Sequence, residues 1–319
     1  MTDRSTGDDA RRPDPGGSGR RPALGPVARV RRAWVRARHG WSSALRAPPV
    51  RRFRRNRAAL TGLVLVLLLV ALATAAPLLA PYAPDAQNLR ARLRPPSAEH
   101  WFGTDEFGRD LLSRVLFGAR ISLMTGLVPV VSGALLGTFI GLVAGYYGGR
   151  IDTVLMRVMD VLLAFPSLLL ALAVVGALGP GLTNAVIAVA VVGVPQYARI
   201  VRSVVIGTRE EEFVHAARAL GARDGRLLLR HVFPTTLGPL TVQATLGIGF
   251  AILSMAGLSF LGLGVQPPTA DWGEMLARGR RFLPDATWLL AFPGIAISLT
   301  VLAFNLLGDG LRDALDPRD

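Results

Sequence analysis

Between Leu60 and Ala80 the chain runs LTGLVLVLLLVALATAAPLLA, 21 residues without a charge. At ~1.5 Å per residue a helix of that length crosses a hydrocarbon core of ~30 Å. Hydrocarbon offers the backbone no hydrogen-bond partner, so a lone segment of this kind has to be helical. Comparable blocks recur at about 121–145, 161–178, 182–198, 237–263 and 287–307, which predicts six transmembrane helices and an all-α integral membrane protein. With 51% hydrophobic against 18% charged residues over 319 positions, the composition lies outside the usual soluble range.

None of the six blocks has Asp, Glu, Lys, Arg or His in its interior. Ionisable groups inside a membrane are costly and mark proton or ion relays. Their absence argues against a proton-coupled carrier or a voltage sensor, so the energy for any transport has to come from another chain. Without Cys, disulfides, thiolate metal sites and cysteine nucleophiles are excluded. All 36 basic residues are Arg, and a chain without Lys lacks the lysine that a P-loop places on the nucleotide phosphates. His39, His100, His215 and His231 contain no i, i+4 metal pair, and there is no G-x-S-x-G elbow. No catalytic residue, metal site or cofactor of this chain is expected, and the spans offer no polar constellation that marks a substrate site.

Arginine sets the orientation. With six spans and a cytoplasmic N-terminus, 27 arginines fall in inner segments and 9 in outer ones, as the positive-inside rule requires. Both termini are then expected to be cytoplasmic. Residues 1–50 form an Arg-rich tail that opens on DDARRPDPGGSGRRP, a composition typical of disorder. Val30, Trp34, Ala37, Trp41 and Leu45 recur at helical spacing among arginines, so an interfacial helix on anionic lipid stands beside plain disorder as a reading.

Within the second block Gly133, Gly137, Gly141 and Gly145 stack on one helix face, the pattern of close helix approach, although glycine is common in membrane helices generally. Pro166 and Pro195 should kink the third and fourth spans, either to line a pathway or as packing features. Outside, Asp105 with Arg109 and Asp110 with Arg114 have the i, i+4 order of a short solvated helix. Trp101, Trp272 and Trp288 fit an interfacial aromatic belt.

The stretch EEFVHAARALGARDGRLLLRHVFP, between spans four and five, is charged and helix-forming. A first helix is predicted over 209–220, with Glu210, Glu211 and Glu212 in its first turn and Gly221 ending it. Asp224 caps a second helix that stops before Pro234. Ala216, Ala217 and Gly221 leave a flat face suited to a partner's groove. The stretch 209–231 has five Arg and four acids, a net of only +1, too little for a DNA-binding helix-turn-helix. No nucleic-acid partner is expected.

HAARALG followed by RHVFP resembles the EAA loop of ABC importer permeases, whose pattern is Glu-Ala-Ala, three residues, Gly, then about a dozen residues to a Pro. His215 stands where the motif has Glu, and Phe233 where Leu is usual. From about residue 51 onward LAPYAPDAQNL, HWFGTDEFGRDLLSRVLFGARISL, MDVLLAFPSLLLAL, GLSFLGLGVQPPTADWGEML and AFNLLGDGLRDALDPR are similar to the C-type permease of the dipeptide/oligopeptide/nickel importer family. The resemblance implies the type I ABC importer permease fold. It divides the chain into 51–117, holding the first span and an extracytoplasmic loop, and 118–319, the permease core with an EAA-type loop at 209–235. It also implies a second, related permease subunit, two ATPase subunits that use the ATP and Mg, and an extracytoplasmic binding protein for peptides or similar small solutes. His215, Ala216, Ala217, Gly221, Ala222, Asp224 and Pro234 would then form the ATPase-coupling loop. The alternative from another class is a membrane-anchored scaffold or signalling protein with a cytoplasmic partner-binding loop.

Overall fold

The computed structural model describes residues 48–315, all helical apart from connecting loops, with no strand among them. The Arg-rich tail and its Trp34/Trp41 periodicity lie outside the described residues. A short helix α1 (Pro48–Arg55) leads into α2 (Arg57–Leu79), capped by the Asn56 side chain, which accepts from the Ala59 N–H. Then come α3 (Leu111–Tyr147), α4 (Gly149–Leu163), α5 (Ser167–Leu178), α6 (Leu182–Arg209) and α7 (Glu212–Ala219). The chain ends in α8 (Asp224–Phe260), α9 (Trp272–Gly279) and α10 (Trp288–Leu315).

Five of these helices, α2, α3, α6, α8 and α10, are long and apolar enough to cross a membrane. The third expected span differs from its prediction. The apolar run at 161–178 is divided by Pro166, which cannot continue a helix: α4 ends at Leu163 and α5 starts at Ser167, bent by 94°. The spans number five, or six when this bent pair is taken as one. A charged stripe on α4 sets its course, because Asp152 pairs with Arg202 and Asp160 with Arg199, both on α6 and each pair at 2.5 Å. Pro195, by contrast, is buried inside α6 and leaves that helix unbroken from Leu182 to Arg209.

α3 and α6 form the most extensive helix pair, and the glycine stripe is where they meet. A Cβ on Gly137 would lie 2.6 Å from the Tyr197 Cβ, one on Gly141 2.5 Å from the Ala198 carbonyl, and one on Gly145 2.8 Å from the Val205 Cβ. The Gly133 position would meet the Ala190 carbonyl at 2.9 Å. No side chain fits between these backbones, and dispersion over the close contact holds them. α2 and α10 are joined in the same way, with Gly62 against Leu307 and Gly310 against Ala59.

The end of the bundle opposite the 209–235 loop is closed by the connection between α2 and α3 together with α9. The solvated helix expected at Asp105/Arg109 and Asp110/Arg114 is absent. Asp105 and Arg109 are buried in a loop and paired at 2.6 Å, and Asp110 is the N-cap of α3, accepting from the Ser113 N–H and the His100 ring. Arg114, 1% exposed, lies among Asp85, Asp105 and Glu274 at 3.4 to 3.6 Å. The i, i+4 spacing reports a helical register and is silent about burial, which here is set by α9 folding over the loop. Trp272 is correspondingly no belt residue. It is 1% exposed, donates its indole N–H to the Val115 carbonyl at 3.0 Å, and packs over Gly118. Trp101 is exposed, and Trp288 donates to the Thr104 carbonyl at 3.2 Å.

Candidate coupling site

The stretch 209–235 is a helix, a tight turn and the start of a second helix. It departs from the predicted boundaries at three points. α6 runs on through Arg209, so Glu210 caps that helix and only Glu212 sits in the first turn of α7. Asp224 makes no cap hydrogen bond and instead accepts from the Tyr146 hydroxyl at 2.7 Å. Nor does the second helix stop before Pro234. Residues Leu228–Val232 take a π-helical turn, with the Phe233 N–H reaching the Leu228 carbonyl, and α8 continues past the proline. In a regular helix the Pro234 ring would press on the Arg230 carbonyl, and the wider turn absorbs that conflict.

The turn after α7 is a Schellman motif. The Gly221 N–H donates to the Arg218 carbonyl at 2.9 Å and the Ala222 N–H to the Ala217 carbonyl at 3.1 Å. Gly221 has φ +85°, a conformation that costs an L-residue about 1–2 kcal/mol, which is why glycine stands here. Ala217 and Ala222, joined by that hydrogen bond, are half-buried and face inward, so the flat small-residue face predicted for Ala216, Ala217 and Gly221 divides. Ala216 and Gly221 are exposed, while Ala217 belongs to the anchor.

That anchor is a small apolar cluster: Val214 of α7 and Leu227 and Val232 of α8, all fully buried, against Val201 and Val205 of α6 and Tyr146 of α3. Polar ties surround it. Tyr146 holds Asp224 and accepts from Arg218 at 3.3 Å, and Arg209 donates to the Gly145 carbonyl at 3.0 Å. The loop is therefore bolted to the last turn of α3 and the last two turns of α6.

Apolar side chains with nothing to pack against remain outside. Leu220, at the tip, is 90% exposed, Leu229 69% and Phe213 47%. Phe213, Ala216 and Leu220 follow i, i+3, i+7, so they line one face of α7. Reading the loop for small residues passed over this signal. His215 is exposed at the edge of that face, 4.0 Å from Glu210. An apolar tip rimmed by charge on a rigid mount has the character of an interaction surface.

At the opposite end, α9 is capped by Asp271, which accepts from the Glu274 N–H at 3.1 Å and from the Ser122 hydroxyl of α3 at 2.9 Å. Burial pushes the Asp271 carboxyl above the ordinary carboxylate range, against the pull of those donors. Burial raises Glu274 likewise, although Arg278 and Arg114 draw it down. No group of three or more His, Asp and Glu among the described residues could hold a metal ion.

The described residues thus form a bundle of helices long and apolar enough to span a membrane, with an apolar-tipped, firmly mounted loop at one end. Residues 137–318 match the family described as binding-protein-dependent transport system inner membrane component, and residues 45–96 match the N-terminal transmembrane domain of oligopeptide transport permease C. The chain is 51% identical over 268 residues to the dipeptide transport system permease protein DppC of Alkalihalophilus pseudofirmus, covering 84% of this chain and 88% of that one. It is 50% identical over 272 residues to the di/tripeptide transport system permease protein DppC of Pseudomonas aeruginosa, covering 83% and 90%. A solved chain of the MetNI methionine ABC transporter has the same fold, with a TM-score of 0.52 at 18% identity, over 65% of this chain and 98% of that one.

The chain belongs to the binding-protein-dependent transport family, as a C-type permease of an ABC importer. It is a multi-pass membrane subunit, is not itself catalytic, and works with ATPase subunits and a binding protein.

Proposed function

We propose that this chain pairs with a second, related permease to form the path of a peptide importer, with the 209–235 loop as its contact with an ATPase. The observation that carries the loop assignment is Leu220, an apolar residue 90% exposed at the tip of a segment anchored by Val214, Leu227 and Val232, which are buried against α3 and α6. In the same reading the loop and both termini face the cytoplasm, an orientation that the arginine distribution supports. Residues 1–50 are a tail, 51–117 carry the first span and the outer loop, and 118–319 form the permease core. His215, Ala216, Gly221 and Leu220 meet the ATPase, while Ala217, Ala222, Asp224 and Pro234 shape and hold the loop. The clasp of α9 and residues 80–110 then faces the binding protein. Peptides are the substrate class because both relatives above are named for dipeptide or di/tripeptide transport.

The test is reconstitution of the permease pair with its ATPases and binding protein in lipid vesicles, with radiolabelled di-alanine outside. ATP-dependent accumulation of the label, abolished by Leu220→Asp together with loss of the co-purifying ATPase, is expected. An ATPase that stays bound to the Leu220→Asp variant would refute the loop assignment, and a wild-type complex that ignores di-alanine and longer alanine peptides would refute the substrate class.

A further inference from the structure

Few polar groups in the spans lack a local partner. The hydroxyls of Ser132, Thr241, Thr245, Ser254 and Thr300 each donate to the carbonyl one turn back in their own helix. The two glutamines of the spans behave differently. Gln196 of α6 and Gln243 of α8 lie 47 positions apart in the chain, and the Gln243 amide donates to the Gln196 carbonyl oxygen at 3.2 Å. One such bond uses one N–H and one oxygen, which leaves a carboxamide NH₂ on one residue and a C=O on the other without a partner. Exchanging N and O on both side chains gives the same inventory.

These groups border a pocket of about 230 Å³ between α3, α6 and α8. Tyr197 lines it too. Its ring fits among glycines, with Gly137 beneath its Cβ and Gly133 and Gly193 beside its edge, and its hydroxyl rests where a Cβ on Gly247 would lie only 2.4 Å away. That hydroxyl has no hydrogen-bond partner among the described residues. On the α3 side Pro129 lines the pocket and leaves the Thr125 carbonyl without a helical donor, a defect that membrane helices accept where a cavity or protein covers it. Gln196 lies fourteen residues into α6, roughly 20 Å from its start, and its side chain is exposed. An exposed carboxamide at that depth is costly against lipid, so this face of the bundle does not meet lipid.

We infer that Gln196, Gln243 and Tyr197 form a substrate contact midway along the translocation path, which recognises the peptide group itself. A peptide bond offers one N–H and one C=O, the complement of the free carboxamide C=O and NH₂, and the tyrosine hydroxyl supplies a further donor or acceptor. The site is uncharged, so it holds a peptide weakly and without regard to side chain, as a passage requires. The inference rests on the peptide-importer reading, and the experiment separates the two.

The chain has no Cys, so Gln196→Cys introduces a single thiol in it. In the complete reconstituted complex, this chain's modification by 2-aminoethyl methanethiosulfonate is followed by mass spectrometry, with and without di-alanine and binding protein during ATP turnover. Modification slowed about tenfold by di-alanine is expected, as is di-alanine uptake about tenfold lower in Gln196→Leu and in Gln243→Leu at unchanged complex yield. A thiol that never reacts is covered by the second permease, and one that reacts equally fast with di-alanine present is only wet. Either result overturns the site, as does unchanged uptake in both Leu variants. If wild-type uptake of di-alanine is absent, the peptide reading fails and the site with it.

Discussion

Truncating Leu220 to Ala isolates the docking energy of the loop from its folding energy. At 90% exposure the Leu220 side chain contributes next to nothing to the stability of the free permease, so a change in affinity for the ATPase reports the interface alone. Complete burial of a leucine is favourable by about 1.5–3 kcal/mol, and alanine keeps only one of its carbons. Allowing for incomplete burial in a groove, the substitution should remove about 1–2 kcal/mol, which is a 5- to 30-fold rise in Kd at 25 °C. The assay is titration of fluorescent ATPase onto permease in lipid nanodiscs, with thermal stability of the free permease measured in parallel. Leu78→Ala is the matched control, because Leu78 is 89% exposed near the far end of α2, at the clasp end of the bundle. If Leu220→Ala and Leu78→Ala bind alike within twofold, exposure of Leu220 has nothing to do with docking and the reasoning is wrong.

Tyr146→Phe keeps the ring in its cluster and removes the hydroxyl that Asp224 and Arg218 share, so ATPase affinity should persist within about threefold while transport per ATP hydrolysed falls. Gly141→Ala places a methyl 2.5 Å from the Ala198 carbonyl and should destabilise the α3–α6 pair by about 1–3 kcal/mol, read as lost thermal stability in detergent. For pH, the sign follows from carboxyls held above their ordinary range by burial. Ionising Asp271 and Glu274 costs more in the folded clasp than in the unfolded chain, so stability falls as pH rises through their folded pKa values. It climbs again on acidification and levels off near the ordinary value of about 4. Hydrogen exchange of α9 should therefore slow as pH is lowered from 7 toward the ordinary carboxylate value of about 4, after correction for the intrinsic rate, and Asp271→Asn should flatten that response.

Whether a feature was legible in the sequence depended on how local its cause was. Charge-free length reports helices well, because hydrocarbon leaves the backbone no other choice. The glycine spacing reports a groove for a similar reason, since four missing side chains on one face are a local fact. The Gly221 turn is legible too, as its φ +85° and both Schellman hydrogen bonds involve residues within five positions of each other. The misread features have distant causes. Asp224 looks like a cap from its neighbours, yet its partner is Tyr146, 78 positions away. Asp105, Asp110, Arg109 and Arg114 look solvated by spacing, yet all four are buried, and one partner of Arg114 is Glu274 of α9, 160 positions away. Gln196 and Gln243 each look like a stray polar residue in a span, and their meaning arises only where α6 and α8 meet.

The same geometry constrains how force could pass from the loop into the spans. The loop grips α3 through Tyr146 and α6 through Val201 and Val205, and Arg209 of α6 donates to the Gly145 carbonyl of α3, so both helices are held at one end. From Gly145 back to Gly133 the glycine face of α3 lies directly on the backbone and Cβ atoms of α6, with no α3 side chain at those four positions. Sliding would carry the Cβ atoms of Tyr197, Val201 and Val205 out of the hollows of Gly137, Gly141 and Gly145 and over the intervening residues of α3, which have side chains. Packed interfaces resist such displacement and move between discrete arrangements. A displacement of the loop therefore carries α3 and α6 as one body. On its other side that body meets α8, where Gln196 and Gln243 share a hydrogen bond beside the open pocket.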